Sequence, residues 1–203
     1  MKKEVKELMN LKENRLIYIG GRPLTGKTSL ILDITKDVAL NDKIPVVVFS
    51  LETGIKKCVD LILGENKTLD YIKELSEANI FIDDTPAISV NEIREKSIKL
   101  KNEKNIGLII IDYLQLIKTK DNEDVSISMK ELSQELDVPV IVTSQLTTEI
   151  DKREDKRPTI EDLKDSKTVA DVSDIVMILY KENDNREIII AKNRQGDLKT
   201  IKV

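Results

Sequence analysis

Histidine is absent from this 203-residue chain, tryptophan is absent too, and cysteine occurs once, at Cys58. Without imidazole there is no Ser-His-Asp triad, no His-ligated zinc site and no His-ligated haem, and a single thiol cannot form an intramolecular disulfide. Aromatic residues make up 3%, too few for the base-stacking platforms of RNA-recognition and OB modules. Long apolar runs are missing as well. The longest, Ile175–Tyr180, is far short of a bilayer span, so no membrane partner is expected. The N-terminal Met-Lys-Lys-Glu-Val-Lys-Glu lacks the apolar stretch and cleavage site of a secretory signal, and a cytoplasmic location is expected. Nor is there an excess of positive charge. Thirty-three Lys and Arg against 37 Asp and Glu give −4, so any contact with nucleic acid has to be local.

What is present is the composition of one soluble globular domain, 40% hydrophobic and 34% charged. Short β-branched runs recur at Leu16–Gly20, Val46–Leu51, Ile80–Ile82, Leu108–Ile111, Val138–Thr143 and Ile175–Tyr180. Near-continuous apolar runs of this kind are strands of a parallel sheet covered on both faces. Helices are predicted between them at Thr28–Leu40, Ile55–Leu63, Lys67–Ala78 and Ser126–Leu136, and another after Ser89. There Ser89-Val90-Asn91-Glu92 fits a capping box, with Ile93, Ser97 and Leu100 facing inward. The fold class is therefore α/β, a mainly parallel sheet flanked by helices, whose ligands sit at the carboxyl ends of the strands. The tail differs: Ile175–Tyr180, Glu187–Lys192 and Leu198–Val203, separated by turn-like Glu182–Asn185 and Gln195–Asp197, predict antiparallel C-terminal strands. Residues 1–14 are expected to form a short helix or arm, with Val5, Leu8 and Met9 on one face. Residues 15–203 form the main domain. The long polar stretch Gln145–Lys167 is the kind of segment that is functional or mobile.

Gly21-Arg22-Pro23-Leu24-Thr25-Gly26-Lys27-Thr28, followed by Ser29, fits GxxxxGK[ST] at every defined position, after a strand and before a helix. Gly26 frees the backbone to wrap an anion, loop amides point at phosphates, Lys27 reaches the β- and γ-phosphates, and Thr28 offers a hydroxyl to Mg²⁺. The alternative is an ordinary glycine turn before a helix. Leu108–Asp112 is an apolar strand ending in a carboxylate, the form of an element that holds a Mg²⁺ shell; many buried strands also end this way. Tyr113 follows Asp112, so the base for an attacking water comes from elsewhere. Glu52, closing Val46–Leu51, is the candidate, against a solvated strand-end charge.

These motifs, together with Phe49-Ser50-Leu51-Glu52, Ile80–Pro86, Ile111–Leu116, Val138–Ile141 with Ser144-Gln145-Leu146, Asp155–Pro158 and Lys192–Gly196, resemble the RecA-like ATPase domain of the DnaB family of replicative DNA helicases, from about Arg15 to the end. The resemblance implies ATP and Mg²⁺ as cofactors, a hexameric ring or co-assembly with a related helicase, and single-stranded DNA as partner. It implies Glu52 as catalytic base, Gln145 as γ-phosphate sensor, and Lys192 and Arg194 as charges offered to a neighbour's ATP. Without the family these two read as solvated hairpin charges. In the family an Arg-Glu-Ser-Gly-like stretch grips DNA phosphates. Here it reads Lys164-Asp165-Ser166-Lys167, and Arg157 is counted with Lys164, Asp165 and Lys167 as a DNA contact. As many basic as acidic residues lie in Asp151–Lys167, so a solvated loop is the alternative. About fifteen residues precede the first strand, so primase binding by the family's N-terminal domain is not expected. A nucleotide-responsive accessory protein of a helicase ring is the competing reading.

Overall fold

The computed structural model describes residues 3–119, 124–164, 166–183 and 185–203. A short helix, α1 (Lys3–Met9), precedes β1 (Leu16–Gly21), α2 (Lys27–Leu40), β2 (Val46–Ser50), α3 (Ile55–Leu63), α4 (Leu69–Glu77) and β3 (Ile80–Asp83). The chain continues through α5 (Val90–Lys104), β4 (Leu108–Asp112), α6 (Val125–Leu136), β5 (Val140–Gln145), α7 (Ser166–Val172), β6 (Ile175–Glu182), β7 (Asn185–Asn193) and β8 (Thr200–Lys202). One sheet holds all the strands in the order β3-β2-β4-β5-β1-β6-β7-β8. The pairs from β3 to β6 are parallel, whereas β6–β7 and β7–β8 are antiparallel, as the sequence pattern predicts.

Strand alternation divides the core into two layers. Leu16, Tyr18, Val47, Phe49, Ile109, Ile111, Val140 and Val142 face one side, under Ile93 of α5, Met129 and Leu132 of α6 and Val169 of α7. Ile17, Ile19, Val46, Val48, Leu108, Ile110 and Ile141 face the other, under α2, with Cys58 and Ile62 of α3. Val5 and Met9 of α1 are buried in this second layer, and Lys6 pairs with Asp37 and Asp42. The N-terminal helix thus packs on its own chain. The capping box at Ser89 is present in both directions, a device worth about 1 kcal/mol. Ile93 and Ser97 are buried as expected, and Leu100 packs partly buried against the core.

Several boundaries differ from expectation for local reasons. β5 begins at Val140 and not at Val138, because Pro139 has no N–H to give to a ladder. The β6–β7 hairpin is longer than expected, with pairing carried out to Glu182 and Asn185. The polar stretch after β5 is tied down at intervals. It forms 3₁₀ turns at Thr148–Lys152 and Ile160–Asp162, buries Ile150 and Leu163, and bridges Leu146 to Leu163.

Candidate nucleotide site

The carboxyl ends of β1, β2, β4 and β5 meet at one edge of the sheet, where Gly21 is in register with Gln145 and Ser50 with Asp112. Period 2 puts Ser50, Asp112, Thr143 and Gln145 on the face covered by α2, because Val48, Ile110 and Ile141 face that way. A cavity of about 560 Å³ opens there, lined by Pro23, Leu24, Gly26, Lys27, Thr28 and Ser29 from the loop and α2, and by Glu52, Lys57 and Gln145 opposite. Its volume is that of a small-molecule site.

The loop is held in shape from within. Thr25 donates its hydroxyl to the Arg22 carbonyl at 2.8 Å, and a Cβ on Gly21 would lie 2.6 Å from that hydroxyl oxygen. Gly26 has φ 98°, open to glycine and strained for other residues, although space for a side chain is present there. Leu24 also sits at positive φ and is wholly exposed. Lys27 is buried, its Nζ donating to the Gly21 carbonyl at 2.8 Å and the Arg22 carbonyl at 3.0 Å. Burial lowers the pKa of this ammonium, against the opposing pull of Asp112 and Glu52. A cation held among neutral carbonyls in this way is a standing site for an anion.

Behind the loop, Thr28 donates to Oδ2 of Asp112 at 2.8 Å, and Thr143 donates to Oδ1. Asp112 is 1% exposed. Leu51 N–H donates to the Asp112 carbonyl at 2.7 Å, and Ser50 donates its hydroxyl to the Thr53 carbonyl at 2.6 Å, so the turn bearing Glu52 is tied to β4. Cys58 packs under this turn, with Sγ 3.2 Å from the Ser50 hydroxyl, and burial pushes its thiol pKa up. Gln115 clasps the end of β5, donating to Ser144 at 2.9 Å and accepting from the Gln145 N–H at 3.4 Å.

The donors Thr28 and Asp112 are hard oxygens, the chemistry that suits Mg²⁺. Among the described residues no group of three or more His, Cys, Asp or Glu is gathered for a metal. A Mg²⁺ at Asp112 would complete its shell with water and phosphate oxygens, the usual arrangement for nucleotide-borne Mg²⁺.

Lys192 and Arg194 lie elsewhere. Asn193 pairs with Ile175 at the start of β6, whereas Gly21 pairs with Leu179. The two basic residues are thus at the opposite end of the sheet from the loop, about 13 Å away along the strands. Both reach the end of α7. Lys192 donates to the carbonyls of Ala170 and Ser173, and Arg194 to those of Asp171 and Ser173, a favourable place for cations. Burial lowers the Lys192 pKa, and Arg194 beside it adds to the effect.

A family model described as the DnaB-like helicase C terminal domain matches residues 4–203. The chain belongs to that family. The replicative DNA helicase DnaC of Bacillus subtilis (strain 168) is 39% identical over 93% of this chain and 50% of its own length; DnaB of Geobacillus stearothermophilus is 38% identical over the same shares. The chain spans about half the length of these curated relatives. A DnaB-like replicative helicase, solved with attention to its interactions with primase, superposes with a TM-score of 0.85 at 29% identity, covering 98% of this chain and 57% of its own. A second solved structure, of an ATPase domain, also gives 0.85, at 28% identity over 98% of this chain and 84% of that one.

In this DnaB-like domain the remaining sequence candidates are scattered. Lys164 and Lys167 are exposed at the start of α7, and Asp165 between them lies outside the described residues. The Lys164 N–H donates to the Gln145 carbonyl at 3.3 Å, so this turn abuts the nucleotide edge. Arg157 is engaged elsewhere: it pairs with Glu187 at 2.7 Å, donates to the Thr200 hydroxyl and lies over the Tyr180 ring at 5.5 Å. Arg22 does not line the main cavity. It pairs with Asp151 beside a second, smaller cleft, and this partner holds the Asp151 carboxyl below the usual range. Sequence reasoning missed Thr143, Gln115 and the Ser50 hydroxyl. Period 2 counted back from Gln145 would have put Thr143 on the same face.

Proposed function

We propose that this domain is the ATP-hydrolysing motor of a replicative DNA helicase, working in the cytoplasm as a ring of copies that grips single-stranded DNA. The observation that carries this reading is the separation between the phosphate-binding cleft and the Lys192–Arg194 pair. One chain assembles Lys27, Thr28, Asp112, Glu52 and Gln145 at a single edge, while Lys192 and Arg194 stand at the other end of the sheet. In the reading proposed here, the cleft obtains these cations from a second copy.

In this reading the loop amides and Lys27 bind the triphosphate, and Lys27 leaves its loop carbonyls to do so. Thr28 and Asp112 would hold Mg²⁺, which would supply charge neutralisation at the triphosphate. Glu52, exposed on its braced turn, accepts the proton of the attacking water. Gln145 reports on the γ-phosphate, and the Lys164 N–H on its carbonyl links that report to the turn carrying Lys164 and Lys167. A neighbour's Arg194 stabilises the charge that develops on the transferred group, an effect on the order of 10³–10⁵ in rate in other NTPases.

The test is ATP turnover with and without single-stranded DNA, alongside native mass in Mg²⁺ and nucleotide. Turnover that is stimulated by DNA and rises with assembly is the expected result. Nucleotide binding by a monomer, with turnover indifferent to DNA at every concentration, would favour the accessory-protein reading instead.

A further inference from the structure

Thr143 is wholly buried on β5, and its hydroxyl is given to Oδ1 of Asp112. The other carboxylate oxygen, Oδ2, accepts from Thr28 at 2.8 Å. With Asp112 1% exposed, neither oxygen can turn to bulk water for a replacement partner. Valine has the shape of threonine without the O–H, whose burial costs free energy unless it is bonded. Packing alone therefore does not call for a hydroxyl among the Ile and Val side chains of this layer. Its bond to Asp112 does.

We infer that Thr143 is a positioning residue that sets the choice of cation at Asp112, an inference that rests on Thr28 and Asp112 being the cation-binding pair proposed above. A carboxylate can meet a cation with one oxygen or with both. Ca²⁺ takes six to eight oxygens in loose geometry and readily accepts a bidentate carboxylate; Mg²⁺ demands a compact octahedron and keeps waters and phosphates around few carboxylate ligands. With Thr143 on Oδ1, the carboxylate cannot swivel and presents only the edge that faces Thr28. That arrangement suits Mg²⁺ and withholds a bidentate ligand from Ca²⁺. Thr143 also stands two residues before Gln145 on the same strand face, so metal carboxylate and phosphate sensor share one rigid strand.

The experiment uses the whole chain with ADP, following Mn²⁺ binding by electron paramagnetic resonance and displacing it with Mg²⁺ or Ca²⁺. Thr143→Val is expected to weaken Mg²⁺ by about tenfold, the low end for removing a partner of a metal-ligating carboxylate. Ca²⁺ should weaken less or not at all, so the preference for Mg²⁺ narrows, and Thr143→Ser should restore it. An unchanged preference, or an equal loss for both cations, would overturn the inference while leaving the cation pair standing. Absence of Mn²⁺ binding by the unsubstituted chain with ADP would remove the cation pair and the inference together. If Thr143→Val does not fold by circular dichroism, Thr143→Ala removes the same hydroxyl and carries the same expectations.

Discussion

Lys27 illustrates how a single side chain can be held ready for its ligand. Its ammonium is buried against two carbonyls and its pKa is lowered by that burial, so the free protein keeps a charge in a place that disfavours it. Lys27→Met should keep the fold without nucleotide and lose the stabilisation that nucleotide confers, about 2.7 kcal/mol at a ligand concentration 100 times Kd. Thermal melting with and without ATP and Mg²⁺ checks this; a shift of wild-type size in the variant would contradict the assignment. Glu52→Gln should bind ATP with near-normal affinity and turn it over about 10²–10⁴ times more slowly, the usual worth of a general base. Normal hydrolysis would make Glu52 a surface charge. Residues Gly21 to Ser29 are readable in sequence because phosphate binding dictates their types and spacing. The face of Thr143 is readable by counting back from Gln145, but its bond to Asp112 is not, because that partner lies on β4 and only the sheet order makes β4 and β5 neighbours.

The elements follow the same division between local and distant causes. Apolar runs, turn residues and the capping box at Ser89 are written in consecutive residues, and the helices and strands they predict are present within a few residues of expectation. Which strands stand side by side is not written there. β1 lies between β5 and β6, and this order alone brings the loop after β1 to Gln145. The same limit hides the place of Lys192 and Arg194 on the last carbonyls of α7, which follows from β7 returning antiparallel beside β6. At the other edge, Asp83 of β3 pairs with Lys96 of α5. Burial tends to raise the Asp83 pKa, but hydrogen bonds from Lys96 and Thr85 outweigh it, and the carboxyl is held below its ordinary value. A carboxyl with a lowered folded-state pKa adds stability above its unfolded value and loses it as pH falls through the folded one. Melting temperatures from neutrality down through the carboxylate range should therefore fall less steeply for Asp83→Asn than for the unsubstituted chain, starting from a lower value at neutrality. Parallel curves would show that the pair contributes nothing.

For the whole molecule, the proposed function makes catalysis a property of the contact between copies, because cleft and cations are separated within one chain. Lys27→Ala and Arg194→Ala proteins should each be inactive alone and should regain part of the turnover when mixed, since some interfaces then join an intact cleft to an intact arginine. No recovery at any ratio, with co-assembly established by native mass, would assign Arg194 to the end of α7 only. Replacing Lys164 and Lys167 together with Ala should weaken single-stranded DNA binding regardless of sequence, and should flatten the slope of log affinity against log salt by about 0.7 for each phosphate no longer neutralised. An unchanged slope would return this turn to a solvated role. The rims of the sheet add a constraint on how copies can meet. One rim is β3, only Ile80–Asp83, with the Asp83–Lys96 ion pair at its end; the other is β8, only Thr200–Lys202, flanked by Lys199. Strands this short and charged make poor templates for another chain's backbone. In the ring proposed above, copies would therefore meet through side chains and not strand edges, and crowding them together should yield counted assemblies and not endless fibres.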